Sequence, residues 1–437
     1  MGLNEDGSYT EVTNTSWSSR LGNSFKGILA GLLLLVVATG LMWWNEGRAV
    51  HTGDAIAEAQ GVTVPMSNID QVDPSFEGKV AHVSGMATTN DTVADPTFMV
   101  KTQALRLRRE VYYYQWVEQV REEKRQKVGG GEETTRHYTY EKRWVKSPVN
   151  SSGFKNPQGH TNTAPLSGLG DETWYAPNVT LGAYRLPDFL SRAIGGEKAL
   201  DVRLTGEELQ ALRQNLFSGS TPASNAVGIG GGIGGTSGGI GGIGGSLARA
   251  IDMNAATGLH ASGNTIYIGR SPNQAEIGDI KVRFYEISPA VVSLIAKVSG
   301  DTFQKFLASN GTSFHKLSMG TVDMGSMFQS AKDSNATMTW ILRVVGIMLA
   351  IAALKTILAP LAVLASVVPF IGNLVEMGTG LVATILGVAW SCVVIAVAWI
   401  RFRPLLGGIL LGVAALLVAL VFLRGRKTRP TQAGAPS

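Results

Sequence analysis

Ile341-Leu342-Arg343-Val344-Val345-Gly346-Ile347-Met348-Leu349-Ala350-Ile351-Ala352-Ala353-Leu354-Lys355 opens a stretch, Trp340 to Leu423, made almost entirely of hydrocarbon side chains. Ile341 to Pro369, Met377 to Ile400 and Leu405 to Leu423 each run to about twenty apolar residues, the length that crosses ~30 Å of acyl core at ~1.5 Å per residue. Three membrane helices are the economical reading of residues 340–423. Pro369, Gly372, Asn373 and Glu376 interrupt the first junction, so residues 360–378 are expected to be kinked. Arg401, Arg403 and Pro404 leave room only for a tight helical hairpin at the second.

An earlier run, Gly27 to Trp44, is also long enough to span. It ends in Trp43 and Trp44, whose amphipathic rings favour the headgroup level, and it lacks a small-residue cleavage pattern, so it is expected to stay as a signal anchor. Of the N-terminal tail, residues 1–26, the first sixteen are small, polar and without periodicity, which predicts a disordered or loosely docked segment, and Arg20 and Lys26 make a weakly basic approach to the span. Directly after it stands Asn45-Glu46-Gly47-Arg48-Ala49, a polar knot at a membrane exit. Interfacial capping, with Arg48 snorkelling to phosphates, is its plainest reading. Gly27/Gly31 and Gly408/Gly412 have the small-residue spacing that lets helices approach, and are candidate contacts between copies.

The chain has 437 residues, 45% of them hydrophobic, with a formal charge of +5. That balance fits a membrane protein with a sizeable aqueous part and does not suggest a nucleic-acid binder. Cys392, the single cysteine, lies in an apolar run, so no intrachain disulfide can form.

Residues 45–339 form the aqueous part and read as β-rich. Gly78 to Gly85, Asn264 to Gly269, Asp279 to Ile287 and Val291 to Lys297 alternate as half-buried strands do. Arg106 to Arg125 and Thr134 to Lys146, separated by Gly129-Gly130-Gly131, predict a long hairpin with a flexible charged tip. Acids such as Glu118, Glu122 and Glu141 are interleaved with its bases, which favours cross-strand ion pairs over stacking on nucleic acid. Thr205-Gly206-Glu207-Glu208 looks like a helix start, and Met324 to Ser334 like a helical approach to the membrane. The tract 227–245 is so dense in glycine that a mobile loop is expected. The fold class is α+β: four transmembrane helices, one N-terminal and three C-terminal, around a large β-rich extracytosolic domain.

Little in the chain suggests catalysis or a cofactor. The six histidines are scattered and have no cysteine partner at ligand spacing, so no metal site is expected. A nucleophile-elbow match at Gly235 to Gly239 falls inside the glycine tract, where chance matches are common and the strand–turn–helix context is missing. The polar residues of the membrane block are better candidates. Arg343, Arg401 and Arg403 sit near interfaces; Lys355, Asn373 and Glu376 are costly in hydrocarbon and need a partner or water. A Lys355–Glu376 ion pair bracing the kink is one reading, and an ion or lipid pathway is the other.

Taken together, several segments resemble the transmembrane protein 43 (LUMA) family: Asn45 to Ala49; Leu105-Arg106-Leu107-Arg108-Arg109 leading into Tyr114-Gln115-Trp116-Val117-Glu118; Gly278-Asp279-Ile280-Lys281-Val282; Pro369 to Val375; and Arg403-Pro404-Leu405. The likeness covers nearly the whole chain, with the glycine tract as an insertion. It implies a four-span protein that associates with itself, with membrane lipids and with other envelope membrane proteins, and it brings no enzymatic residues. It also implies a domain in the lumen of the endoplasmic reticulum and inner nuclear membrane of a eukaryote, or the periplasm, on the inner membrane, of a bacterium. Arg424, Arg426, Lys427 and Arg429 crowd the C-terminal tail, residues 424–437, which by the positive-inside rule places both tails in the cytosol.

Overall fold

A computed structural model describes residues 2–3, 7–163, 166, 168–217, 258–367 and 369–405. The glycine tract, most of the last apolar run with Gly408 and Gly412, and the basic C-terminal tail lie outside the described residues.

Three long helices dominate: α1 (Trp17–Val62), α2 (Met324–Ala365) and α3 (Pro369–Phe402). Each has the length and apolar composition to cross a membrane. The fourth expected span is not among the described residues. α1 starts ten residues before the apolar run, where Ser16 caps it by accepting from the Ser19 amide. It also continues past Trp44 to Val62, and α2 begins at Met324 behind the Asp323 cap. Helical stalks therefore replace the expected domain edges at 45 and 339. Pro360 lies inside α2, and the chain breaks only after Ala365.

The stalks carry two packed sheets. In the first, β1 (Tyr9–Thr15), β4 (Glu132–Val145), β3 (Arg106–Gln126), β6 (Ile280–Ile287) and β5 (Thr265–Ile268) lie side by side in that order. In the second, β2 (Val80–Thr88) pairs antiparallel with β7 (Ala290–Ser299), Val83 opposite Leu294. Period-two alternation turns Leu107, Val111, Val282 and Phe284 of one sheet towards Ala81, Val83, Leu294 and Ala296 of the other, in one apolar core. The outer side of the second sheet supplies Val80 and Ile295 to a smaller cluster with Ile56 and Ala59 of α1 and Met327, Phe328 and Ala331 of α2. This is the seam between sandwich and stalks.

The β3–β4 hairpin forms as its sequence predicts, but its tip is docked. Beyond Tyr113, where β3 leaves β6, the two strands continue together for about 43 Å at ~3.3 Å per residue. Their turn reaches the start of α1. There Arg20 donates to the Gly130 carbonyl at 2.6 Å, the Gly129 amide donates to Val367 O at 3.1 Å, and the Trp17 indole donates to Val363 O at 3.0 Å. Gly130, at φ +80°, lies so close to Trp17 that no side chain would fit.

Tyr9–Thr15, expected within a loose tail, form a strand. β1 pairs with β4 from Tyr9 opposite Tyr138 to Thr15 opposite Glu132. Tail, hairpin tip and the α2–α3 turn thus gather at one end of the helices, and the sandwich sits at the other. A three-stranded ribbon runs beside the bundle between them.

At the hairpin base, Arg108 bridges Glu110 and Glu197, and Lys146 approaches Glu110 at 3.2 Å. Burial pushes the Glu110 carboxyl up, but Arg108, the Tyr112 hydroxyl at 2.8 Å and Lys146 together outweigh it and hold it near about 2, against an ordinary 4.5. A depressed carboxylate contributes stability above its unfolded value, and that contribution fades as pH falls through the folded one. Thermal unfolding midpoints of the full-length protein should therefore fall between about pH 4.5 and pH 2. Glu110→Gln should flatten that fall; an unchanged slope would remove Glu110 from the account.

Candidate functional site: a polar lock at the membrane exit

Asn45-Glu46-Gly47-Arg48 occupies one turn of α1, and each residue meets a different requirement. Glu46, 1% exposed, receives Arg343 of α2 in a two-pronged pair, with Nε to Oε1 and Nη2 to Oε2 both at 2.7 Å. Trp399 of α3 donates its indole N–H to the same carboxylate at 2.8 Å. The Arg343 guanidinium also lies 4.8 Å from the Trp340 ring centre and 5.6 Å from that of Trp399. Aromatic faces therefore replace much of the water that the guanidinium gives up. One carboxylate ties together all three long helices.

The neighbours complete the lock. Asn45 is fully buried and donates to Thr339 O at 3.1 Å. Arg48 donates to Asn335 Oδ1 and Thr339 Oγ1, each at 3.0 Å, and Asn335 returns a bond to the Ala49 carbonyl at 2.9 Å. Gly47 faces the ring of Phe402, where an added Cβ would come within 2.8 Å. Trp43 and His51 meet the same ring edge-on. Along the bundle, Gly346 receives Met42 and Gly387 receives Ile351, both too closely for a larger residue.

Several expectations change. Arg48 and Arg343 bond across helices instead of snorkelling to phosphates. Gly27 and Gly31 do allow a close approach, but within the chain: Thr356 lies against Gly27, and Ile357 with the Ala353 carbonyl against Gly31. They are not free for a second copy. Lys355 is exposed and level with the start of the apolar run of α1. Among the described residues it has no ion-pair partner. Asn373 and Glu376 belong to α3, but their side chains lie outside the described residues, as does the expected Lys355–Glu376 pair. Trp44 is exposed, Arg401 lies over Phe402, and Arg403 lines a cavity of about 780 Å³ beside the lock with Arg343, Trp399 and Phe402. Glu46 is legible in the sequence as part of the polar knot, whereas Asn335, Thr339, Trp399 and Phe402 carry no signal there. Two opposite charges each facing hydrocarbon alone was the available signal.

The histidines stay apart. His82 bonds the Val322 carbonyl, His160 stacks on Tyr140 and His315 meets Phe189. Among the described residues no three His, Cys, Asp or Glu side chains gather as a metal site would require.

A β-sandwich borne on long apolar helices that are clipped together by buried charge defines an integral membrane protein. The family model described as Transmembrane protein 43 matches residues 113–404, and the chain belongs to that family. Mouse Transmembrane protein 43 is 26% identical over 427 residues, covering 95% of this chain and 94% of its own. The human protein is 26% identical over 93% of this chain and 92% of its own, and the Drosophila homolog 26% over 91% and 94%. No solved structure matches.

Removing one partner of a buried pair strands the other charge, typically at a cost of about 3–5 kcal/mol. Glu46→Ala should accordingly lower the unfolding midpoint of the detergent-solubilised full-length protein markedly. Glu46→Leu combined with Arg343→Met should recover most of the loss. Equal losses for single and double variants would mean the pair is not the clip.

Proposed function

We propose that the protein is a membrane scaffold that self-associates and organises proteins or lipids through an extracytosolic sandwich. The observation that supports this is the ribbon. From Gln119 to Arg125 the β3 side chains are exposed, and they include Arg121, Glu122, Glu123, Lys124 and Arg125. They run beside helices whose apolar faces belong in hydrocarbon. Open ladder edges and charges cannot face lipid. The side of the bundle flanked by the ribbon therefore needs water or protein, and further copies of the chain are the cover this reading assigns to it.

Sidedness is part of the same reading. The positive-inside rule favours the cytosol for the end that holds Arg20, Lys26 and the α2–α3 turn. The sandwich then faces the periplasm or lumen, and the ribbon passes through the depth of the membrane inside the assembly. Other envelope membrane proteins are the partners we assign to the sandwich. The rival reading, an ion or lipid channel, draws on the same ribbon, because water held around it at bilayer depth would form a path.

Val120 projects from the ribbon and Cys392 is the single native thiol, so Cys392→Ser with Val120→Cys gives one reporter. In proteoliposomes this thiol should react with water-soluble maleimides, and the particle should exceed one chain in mass. A monomer whose reporter is shielded by lipid would end the scaffold reading. Conductance above the leak of empty liposomes would favour the channel.

A further inference from the structure

A second cavity lies at the opposite end of the bundle from the lock, where α1, α2, α3 and the hairpin tip meet. Its volume is about 360 Å³, within the ~300–1,000 Å³ of ligand pockets, and Arg20 and Lys355 line it together with Gln126, Thr379, Ala359, Ala362, Val363 and Gly380. We propose that this cavity binds the headgroup phosphate of an anionic phospholipid.

Three observations support the assignment. The first is charge. Lys355 is exposed and has no ion-pair partner among the described residues, while Arg20 meets Glu132 only at 3.5 Å. Two cations against one carboxylate leave the described lining with a positive excess, which selects a net anionic headgroup over one carrying its own ammonium. The second is depth. Gly27, where the apolar run of α1 begins, faces Thr356, next to Lys355, and the Trp17 indole lies further out at Val363. The cavity is thus bracketed by an interfacial tryptophan and the edge of the hydrocarbon, the level of the phosphates. The third is wall chemistry. Ala359, Ala362, Val363 and Gly380 give part of the wall an apolar surface for an acyl chain leaving the headgroup, and Gln126 and Thr379 add polar groups beside it. The site stands apart from the scaffold reading and requires only that the bundle lie in a bilayer.

Lys355 is the residue to change, because the lock and the hairpin dock do not use it. Full-length protein in detergent is titrated with phosphatidylglycerol and, separately, phosphatidylcholine, and bound lipid is counted by native mass spectrometry. Phosphatidylglycerol should bind more tightly. Lys355→Gln should weaken it about fivefold, the typical contribution of one basic residue near a membrane surface, with an unchanged unfolding midpoint. Lys355→Arg should keep binding, and Arg401→Gln, at the lock end, should not alter it. Inorganic phosphate at millimolar concentration should not displace the lipid. Equal binding of the two lipids, or wild-type retention by Lys355→Gln, overturns the proposal. Displacement by phosphate alone overturns it too, making the cavity a site for free anions.

Discussion

Glu46 and Arg343 meet in a place where neither could stand alone. A carboxylate or guanidinium at the edge of hydrocarbon loses water without gaining a partner, and a long side chain would normally curl back to the surface. Here the two charges cancel in a two-pronged geometry, and indole rings cover what remains. The pair also fixes register. α1 and α2 are 46 and 42 residues long, and their apolar faces alone would tolerate sliding by a turn. With Glu46 and Arg343 joined, Gly31, Met42 and Gly346 meet the neighbours they need, and Ile56 and Phe328 reach the sandwich seam together. A buried ion pair that selects one alignment is a better account of its presence than net stability, which such pairs supply weakly.

At the sandwich end Glu46 and Arg343 are paired and covered by aromatic rings. At the tail end Arg20 and Lys355 line a cavity, and among the described residues only Arg20 of the two has an ion-pair partner, Glu132. Cancelled charge suits a joint, because it adds no long-range field to pull on neighbouring molecules. Uncancelled charge suits contact with something outside the chain. The hairpin tip docks at the second end through backbone carbonyls and amides and does not use the Lys355 side chain.

Much of this was legible in the residues. Period-two alternation located β2, β3, β6 and β7 to within a few positions, since each strand buries one face and the other meets water or a stalk. Hydropathy found the three spans among the described residues but misplaced their ends. α1 was expected to begin at Gly27 because the apolar run does, whereas the helix starts at Trp17 behind a serine cap, a polar signal that hydropathy ignores. Tyr9–Thr15 has no apolar alternation because both its faces stay half wet, yet its run of threonines and a valine is what an edge strand prefers. The lock was half legible. Asn45 to Arg48 stood out as polar where lipid ends, but its partners are almost 300 residues away, and one sequence carries no record of which distant charge answers which.

The ribbon connects these points. A strand ladder cannot be cut by a bilayer, so once β1 pairs with β4, the tail that precedes α1 and the hairpin that follows it share one compartment. The sandwich is held at the other end of helices long enough to span. Either the ribbon crosses within a shelter or the helices do not span, and their apolar composition argues against the second. Exposed hydrophobic side chains such as Leu33, Val36 and Val37 on α1 and Val344 and Met348 on α2 need lipid or another chain around them. The charged ribbon a few residues' width away needs the opposite. Both demands are met in the proposed assembly, where apolar faces turn outward to lipid and ribbons turn inward to one another.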